Sequence, residues 1–511
     1  MKKEGNFQFS SGRKQKALNA IASLLSFVVG FGISFFLSPF LLRTLGKEAY
    51  SYYPLSTSIT NAMTVISSAM NSMASRFITI SLLQGKKEEA EKYYSSTLFV
   101  DFLYSAVLVV FTIFFIFFLN RFINVSDILL GSVRLLFTFT IAAAIVNILS
   151  TVFGVATFAT NRIELRSGRE IALSLLRAGL FIAFYYLLPP NLSYIGIVAL
   201  IIALVSLVIQ WIFTKKLLPL SFKRTNISKS HVKEIFFSSL WVSINSLGNI
   251  LLAGVTLIVI NKFYSPEIGS IVSLAMTIPN LLSGIITTLA GLYYPLITKN
   301  VSGSDYKGLQ ANVRRYQFIC GILCCAIITV FLAFSESFYQ LWVPTEDASL
   351  LSKLSFITLA PYIFTSFFWI ATYSNTATND VKIPAIFMVA AGALNVGVQI
   401  LLAALHVDWS AIVISCSLIQ VVYIAVCLPL YLAKTTHTRW FDYYLVPIKI
   451  LGLSFLSFGL AYAIKSSLTV NSWFKFILFG GGTGILSLLM YAFGMFLMDK
   501  NQLSQLWQID K

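Results

Sequence analysis

The chain has 511 residues, of which 57% are apolar and only 11% charged. Soluble domains carry about a quarter charged residues, so a water-soluble enzyme or binding domain is excluded. The net charge of +17 is spread over the ends of apolar runs rather than gathered in a basic domain. That distribution points to anionic membrane lipids and needs no nucleic acid.

A basic, polar start, Met1 to Lys16, precedes the first apolar run at 17–42. This run is too long for the apolar part of a signal peptide and lacks a small-residue cleavage site after it. It predicts a first membrane helix that is retained. Further runs follow at 53–82, 97–119, 135–158, 169–188, 193–213, 235–261, 268–297, 316–334, 354–375, 384–404, 410–432, 444–464 and 474–497. Each is near the roughly 20 residues that cross a bilayer as a helix. No run alternates with period two, which argues against a membrane barrel. The fold class expected is an all-α polytopic membrane protein of about 14 transmembrane helices.

Lys and Arg fix the orientation, because short cytoplasmic loops hold them in excess. With the N-terminus inside, 26 of the 37 fall on inner segments, eight on outer segments and helix ends, and three within spans. Both termini are therefore expected in the cytoplasm. The outer loops are short, the longest running from about Ser335 to Lys353. A membrane-bound glycosyltransferase or polymerase needs catalytic groups on sizeable outer loops, so an enzyme is not expected and no catalytic residue is assigned. Cys320, Cys324, Cys325, Cys416 and Cys427 lie in apolar runs without zinc-site spacing, and no metal site is expected.

Several spans carry polar faces. In the second, Thr57, Asn61, Thr64, Ser68, Ser72 and Ser75 recur at spacings of three and four, which puts them on one side of a helix. The eighth has Ser270, Ser273, Thr277, Asn280 and Thr287 on a similar face. Asn245 and Asn249 in the seventh, and Asn395 and Gln399 in the eleventh, are each four apart. Such stripes line a wet lumen or glue helices together. Arg177 lies about 12 Å into the fifth span at 1.5 Å per residue. Facing lipid there costs at least about 2.5–3.5 kcal/mol, so Arg177 is read as facing the interior, with snorkelling or a structural pair as the other reading. Arg76 and Asp101 sit at comparable depth on adjacent spans. Asp101 is read first as the ion-pair partner of Arg76 and second as a coupling residue. Arg43 and Lys262 fall at the outer mouth, as cavity residues or interfacial anchors. Apart from helix ends, spans one, two, five, seven, eight and eleven contain no acid, whereas a cavity for a cationic drug wants one. A cavity with Arg and polar walls suits an anion.

An internal repeat appears at an offset of 219: Glu48, Ser51, Leu55, Ile59, Asn61, Ile78 and Thr79 recur as Glu267, Ser270, Leu274, Ile278, Asn280, Ile297 and Thr298. Arg43 meets Lys262. Two six-helix lobes follow, 1–213 and 235–432, joined by a cytoplasmic basic linker at 214–234. Residues 433–511 add two C-terminal helices and a short cytoplasmic tail. An even number of spans per lobe makes the repeats parallel. Pro279 and Pro361 are read as flexing points or packing kinks.

The run from Ser38 through Pro39, Arg43, Leu45 and Gly46 to Tyr50 resembles the opening signature of bacterial polysaccharide-unit flippases of the Wzx type. The stretch Met73 to Ile78, with Arg76, and the loop Gly85 to Ala90 are similar to the family's second-helix end. Glu267-Ile268-Gly269 fits the matching place in the second lobe. The resemblance covers essentially the whole chain and implies a MATE-like two-lobed fold within the multidrug/oligosaccharidyl-lipid/polysaccharide exporter superfamily. It implies flipping of undecaprenyl-diphosphate-linked oligosaccharide by alternating access in a bacterial plasma membrane, for capsule, exopolysaccharide or O-antigen. It also implies a polysaccharide polymerase as partner, no cofactor, and proton or sodium coupling. Ser51 departs from the glycine that many members hold. The alternative is a MATE-like exporter of drugs or small organic ions; its multidrug branch uses an acid in the first helix, which this chain lacks. The substrate cavity expected on these grounds is built from Arg43, Arg76, Arg177, Lys262, Asn61, Asn245, Asn249 and Asn280, with Asp101 beside it.

Overall fold

A computed structural model of the chain describes residues 13–498 apart from 219 and 379, and among these no strand occurs. The basic residues before 13 and after 498, which the orientation argument uses, lie outside the described residues. The first six helices are α1 (Arg13–Leu45), α2 (Lys47–Leu83), α3 (Lys87–Phe117), α4 (Leu130–Thr151, continuing through a tight turn to Ala159), α5 (Ile163–Leu187) and α6 (Ser193–Leu217). Next come α7 (Lys229–Asn249, a π-helical turn Ile250–Gly254, then Thr256–Phe263) and α8 (Pro266–Ala275 and Thr277–Ser302). They are followed by α9 (Tyr306–Trp342), α10 (Ala348–Phe368, then Ile370–Ala377), α11 (Lys382–Ala404) and α12 (Ser410–Val422 through a π turn to Thr435). The chain closes with α13 (Leu445–Ser466) and α14 (Trp473–Met498). Among the described residues, thirteen stretches are long and apolar enough to cross a membrane. The predicted span missing from that set is α2: its polar face lowers its hydropathy, yet it folds as one continuous helix of 37 residues. Phe102, Phe455 and Phe474 are 67%, 79% and 75% exposed, as side chains meant for lipid must be.

Two compact units emerge. One holds the chain up to Ile250 with Leu257–Ser270; the other holds Leu251–Thr256 and the chain from Ile271 onward. In the first unit the start of α7 packs on α2 and α3. The basic segment before it is tied to α3. The Glu91 carboxylate accepts from Ser221 (3.1 Å) and Asn226 (3.2 Å) and pairs with Lys223 (3.4 Å). In the second unit α9 is the most enclosed helix, packed by α8, α10, α13 and α14.

The 219-residue repeat is legible in local geometry. Ser51 and Ser270 each donate to the carbonyl three residues back, Glu48 and Glu267, both at 2.7 Å. Thr79 donates to Ser75 O (2.6 Å) and Thr298 to Tyr294 O (2.9 Å). The turns that end α2 and α8 carry left-handed residues at matched places, Gly85 (φ 74°) and Ser304 (φ 53°). The amides that follow, Lys86 and Asp305, bond Ser81 O and Asn300 O at 2.9 Å each. The repeat therefore extends past the stretch where residue identity is kept.

Helix breaks are met by side chains. Pro279 has no N–H to bond the Ala275 carbonyl, and α8 breaks just before it; buried Thr358 of α10 donates to that carbonyl at 3.5 Å. The long bond predicts a small effect: Thr358→Val lowers stability by about 1 kcal/mol, read as an earlier thermal unfolding midpoint in detergent. Pro361 sits inside α10, which runs on to Phe368. At the π turn of α7, Asn395 Nδ2 donates to Leu251 O (3.1 Å) and Leu252 O (3.0 Å), while Gln399 Nε2 donates to Thr256 Oγ1 (2.9 Å). Asn395 and Gln399 are fully buried; this polar pair glues helices rather than lining a lumen.

Candidate functional site

A polar cavity of about 470 Å³ lies within the first unit, walled by α2, α4, α5 and α6. The second helix brings Thr57, Asn61, Thr64 and Ser68 of its predicted stripe, together with Tyr53, Ser56, Thr60 and Ser67, while Ser72 and Ser75 of the stripe do not line the cavity. Opposite, α4 presents Thr140, Asn147 and Thr151, at helical spacings of seven and four. Apolar positions of α6, Ile195, Val198 and Ile202, close one side.

Arg177 of α5 lines this cavity and, among the described residues, is the only charged one that does so. The other arginines around the start of α5 are paired: Arg166 with Glu170 at 3.0 Å, Arg169 with the same carboxylate at 3.5 Å, and Arg162 with Glu164 at 3.0 Å. Among the described residues Arg177 makes no ion pair or hydrogen bond, so its guanidinium is left for a guest. The hydroxyls around it are spent differently. Thr57 donates to Tyr53 O (3.1 Å), Thr60 to Ser56 O (2.9 Å), Thr64 to Asn61 O (3.0 Å) and Ser68 to Val65 O (2.8 Å). With their protons given to the helix, their free lone pairs are acceptors. A wall of acceptors and amides around one guanidinium suits a guest with hydroxyl donors and an anionic group.

Asp101 of α3 stands one side chain behind the wall and is 1% exposed. Its Oδ1 accepts from Ser67 Oγ (2.9 Å) and Asn71 Nδ2 (3.1 Å), and its Oδ2 from Asn71 Nδ2 (2.9 Å). The predicted ion pair with Arg76 is not formed: Arg76 is exposed on α2, and Asp101 is satisfied by an amide and a hydroxyl instead. Of the predicted cavity residues the structure brings together Arg177 and Asn61. Arg43 is exposed at the end of α1, and Lys262 Nζ is tied to Arg121 O at 2.6 Å. Asn245 is half-buried and Asn249 exposed on α7, while Asn280 is exposed on α8. The cavity residues that sequence reasoning passed over include Ser56, Thr60 and Ser67 of α2, the apolar positions of α6, and the polar residues of α4. The signal of α4 was a polar stripe, Thr140, Asn147 and Thr151, diluted by the alanines between.

A larger recess of about 980 Å³ lies between the C-terminal half of α3 and α4. Phe114, Phe117, Phe118 and Ile113 line it, with Arg134 as its single charge. Its apolar walls fit hydrocarbon rather than a polar guest, so the smaller cavity is the candidate site.

Comparison with known proteins decides the family. The model of the polysaccharide biosynthesis protein family matches residues 17–301. The chain belongs to this family. The likeness to polysaccharide-unit flippases read from Ser38–Tyr50 is thereby borne out. A relative of this chain is the membrane protein EpsK of Bacillus subtilis, 26% identical over 483 residues, 94% of this chain and 95% of that one. Among solved structures, the chain is similar to the lipid II flippase MurJ in an inward closed conformation. The TM-score is 0.68 at 16% identity, over 95% of this chain and all of that one. An inward-facing multidrug resistance MATE transporter gives a TM-score of 0.62 at 15% identity, over 82% of this chain and 99% of that one. These similarities establish the all-helical fold shared by MurJ and MATE proteins, and this family member is a multi-pass membrane protein.

Proposed function

We propose that this protein flips an undecaprenyl-diphosphate-linked oligosaccharide from the inner to the outer leaflet of a bacterial plasma membrane, supplying surface polysaccharide synthesis. The observation that carries the reading is the cavity of about 470 Å³ whose single charge is Arg177 and whose walls offer hydroxyl and amide acceptors. That volume lies within the usual range of small-molecule sites, about 300–1,000 Å³. Arg177 engages the diphosphate through paired N–H···O bonds, and the stripes of α2 and α4 accept from sugar hydroxyls. The family supports a polysaccharide precursor as cargo, and MurJ, a lipid II flippase, supports a lipid-linked one.

In this reading both termini are cytoplasmic, access alternates between the two faces, and the protein is a transporter without a resident cofactor. An inside-negative potential drives an anion outward by about 2.3 kcal/mol per charge per 100 mV. A polymerase that receives the flipped unit is the partner expected. The test is reconstitution in liposomes holding undecaprenyl-diphosphate-linked sugar, counting head groups that become accessible to an external lectin. Protein-dependent exposure is expected. Transport of cationic dyes with no sugar exposure under an imposed potential, proton gradient or sodium gradient overturns the reading in favour of a drug exporter.

A further inference from the structure

We propose that Asp101 is a proton-binding site linked to anion binding in the neighbouring cavity, an inference that rests on the cargo reading above. Asp101 is a carboxylate buried within α3. No cation lies within ion-pairing distance of it among the described residues. An uncompensated buried charge is strongly disfavoured, and an ionisable group at membrane depth is retained for a function.

The charged and titratable groups around it are few. On α2, no acid or base lies between Glu48 and Arg76, and Arg76 is exposed. The only charged residue of α4 is Arg134, in the recess beside Phe114 and Phe118. On α7, Glu234 accepts from Tyr93 Oη (2.7 Å) and His231 packs edge-on to the Tyr93 ring (4.4 Å). Lys229 and Lys233 share that start of α7, which carries no charge from Ile235 to Asn249. Lys223 pairs with Glu91, beside Arg224. On α3 itself, Tyr94 is buried two turns before Asp101, and Tyr104 donates to Met63 O. These groups on α7, the basic segment and the start of α3 lie about 10 Å or more along α3 from Asp101 at 1.5 Å per residue. Among the described residues no other group supplies the missing positive charge.

Both carboxylate oxygens of Asp101 face hydrogens of Ser67 and Asn71, donors that hold its ionised form. Asn71 Oδ1 and Ser105 Oγ are buried without a partner. A half-turn of the Asn71 amide presents Oδ1 to a protonated Asp101, which then donates to it, so Asn71 satisfies either state. Ser67 carries the link, because it bonds Asp101 and also lines the cavity with Arg177. An ionised Asp101 offsets the field of Arg177 and weakens anion binding, whereas protonation restores it. By reciprocity a bound diphosphate favours the protonated form.

The experiment measures undecaprenyl diphosphate binding to the full-length protein and to Asp101→Asn in detergent at stepped pH. Their ratio cancels the protons that the diphosphate itself exchanges. Asp101→Asn binds about tenfold more tightly at high pH, and the two converge at low pH. A ratio that stays constant with pH overturns the proposal, as does a ratio that follows sodium rather than pH. Infrared titration of the cargo-free wild type adds a readout that needs no variant to fold. A carboxylic-acid C=O band that disappears as pH rises, and that Asp101→Asn lacks, supports the site. Its absence at every pH overturns the proposal. If neither protein binds diphosphate, the cargo reading fails, and the infrared result still decides whether Asp101 takes a proton.

Discussion

Replacing Arg177 by alanine lowers lipid-linked sugar flipping by about 10- to 100-fold, the loss of one charge-assisted contact worth roughly 1.5–3 kcal/mol. Lysine restores only part of the rate, because an ammonium cannot reproduce the planar fork of two parallel hydrogen bonds. Stability moves little in either variant. Arg177 makes no ion pair or hydrogen bond among the described residues, so its removal leaves no buried partner unsatisfied. A merely structural arginine predicts the reverse pattern: a large drop in the unfolding midpoint, rescued by lysine. Flipping rates in liposomes together with melting in detergent separate the two. Wild-type flipping by both variants rules out contact between Arg177 and cargo.

Much of this architecture was legible in the sequence because lipid imposes simple rules. Runs of about 20 apolar residues must be helices when no water is available to their backbones, and thirteen of the predicted spans need no more than that. The fourteenth, α2, was legible by its period rather than its apolarity. The first part of its stripe, Thr57 to Ser68, lies in one wall of the cavity. Side-chain pairing was less legible. Arg76 and Asp101 have matching depth, but depth does not give the direction in which a side chain leaves its helix. Asp101 points to Ser67 and Asn71, and Arg76 points away. Asn61 and Asn395 pose the same difficulty. Both sit in polar pairs or stripes, yet Asn61 lines a cavity while Asn395 caps the carbonyls that a π turn leaves free. Nothing in the local sequence around Leu251 announces that turn.

Packing against the cavity gives the largest expected loss of stability. A Cβ at Gly196 of α6 would lie 2.8 Å from Leu136 O and 2.9 Å from Phe139 Cβ on α4. The first neighbour is backbone and cannot rotate away, so the helices themselves must part. Close approach through small residues is how membrane helices gain van der Waals contact, and α4 against α6 is the most extensive helix pair in the protein. Gly196→Val therefore costs about 3 kcal/mol or more, the upper end of overpacking, and most of the protein fails to stay monodisperse in detergent. The site suffers with the packing. Leu136 O also accepts from Thr140 Oγ1 (2.8 Å), a cavity residue, so surviving protein should flip poorly. Gly179 of α5 is the control. A Cβ there meets nothing within 4 Å, and Gly179→Ala should hold or raise the melting point, since alanine favours a helix by up to about 1 kcal/mol over glycine. Equal melting of Gly196→Val and wild type would mean that α4 and α6 are not pressed together at Gly196, and that the cavity wall they share is looser than its geometry implies.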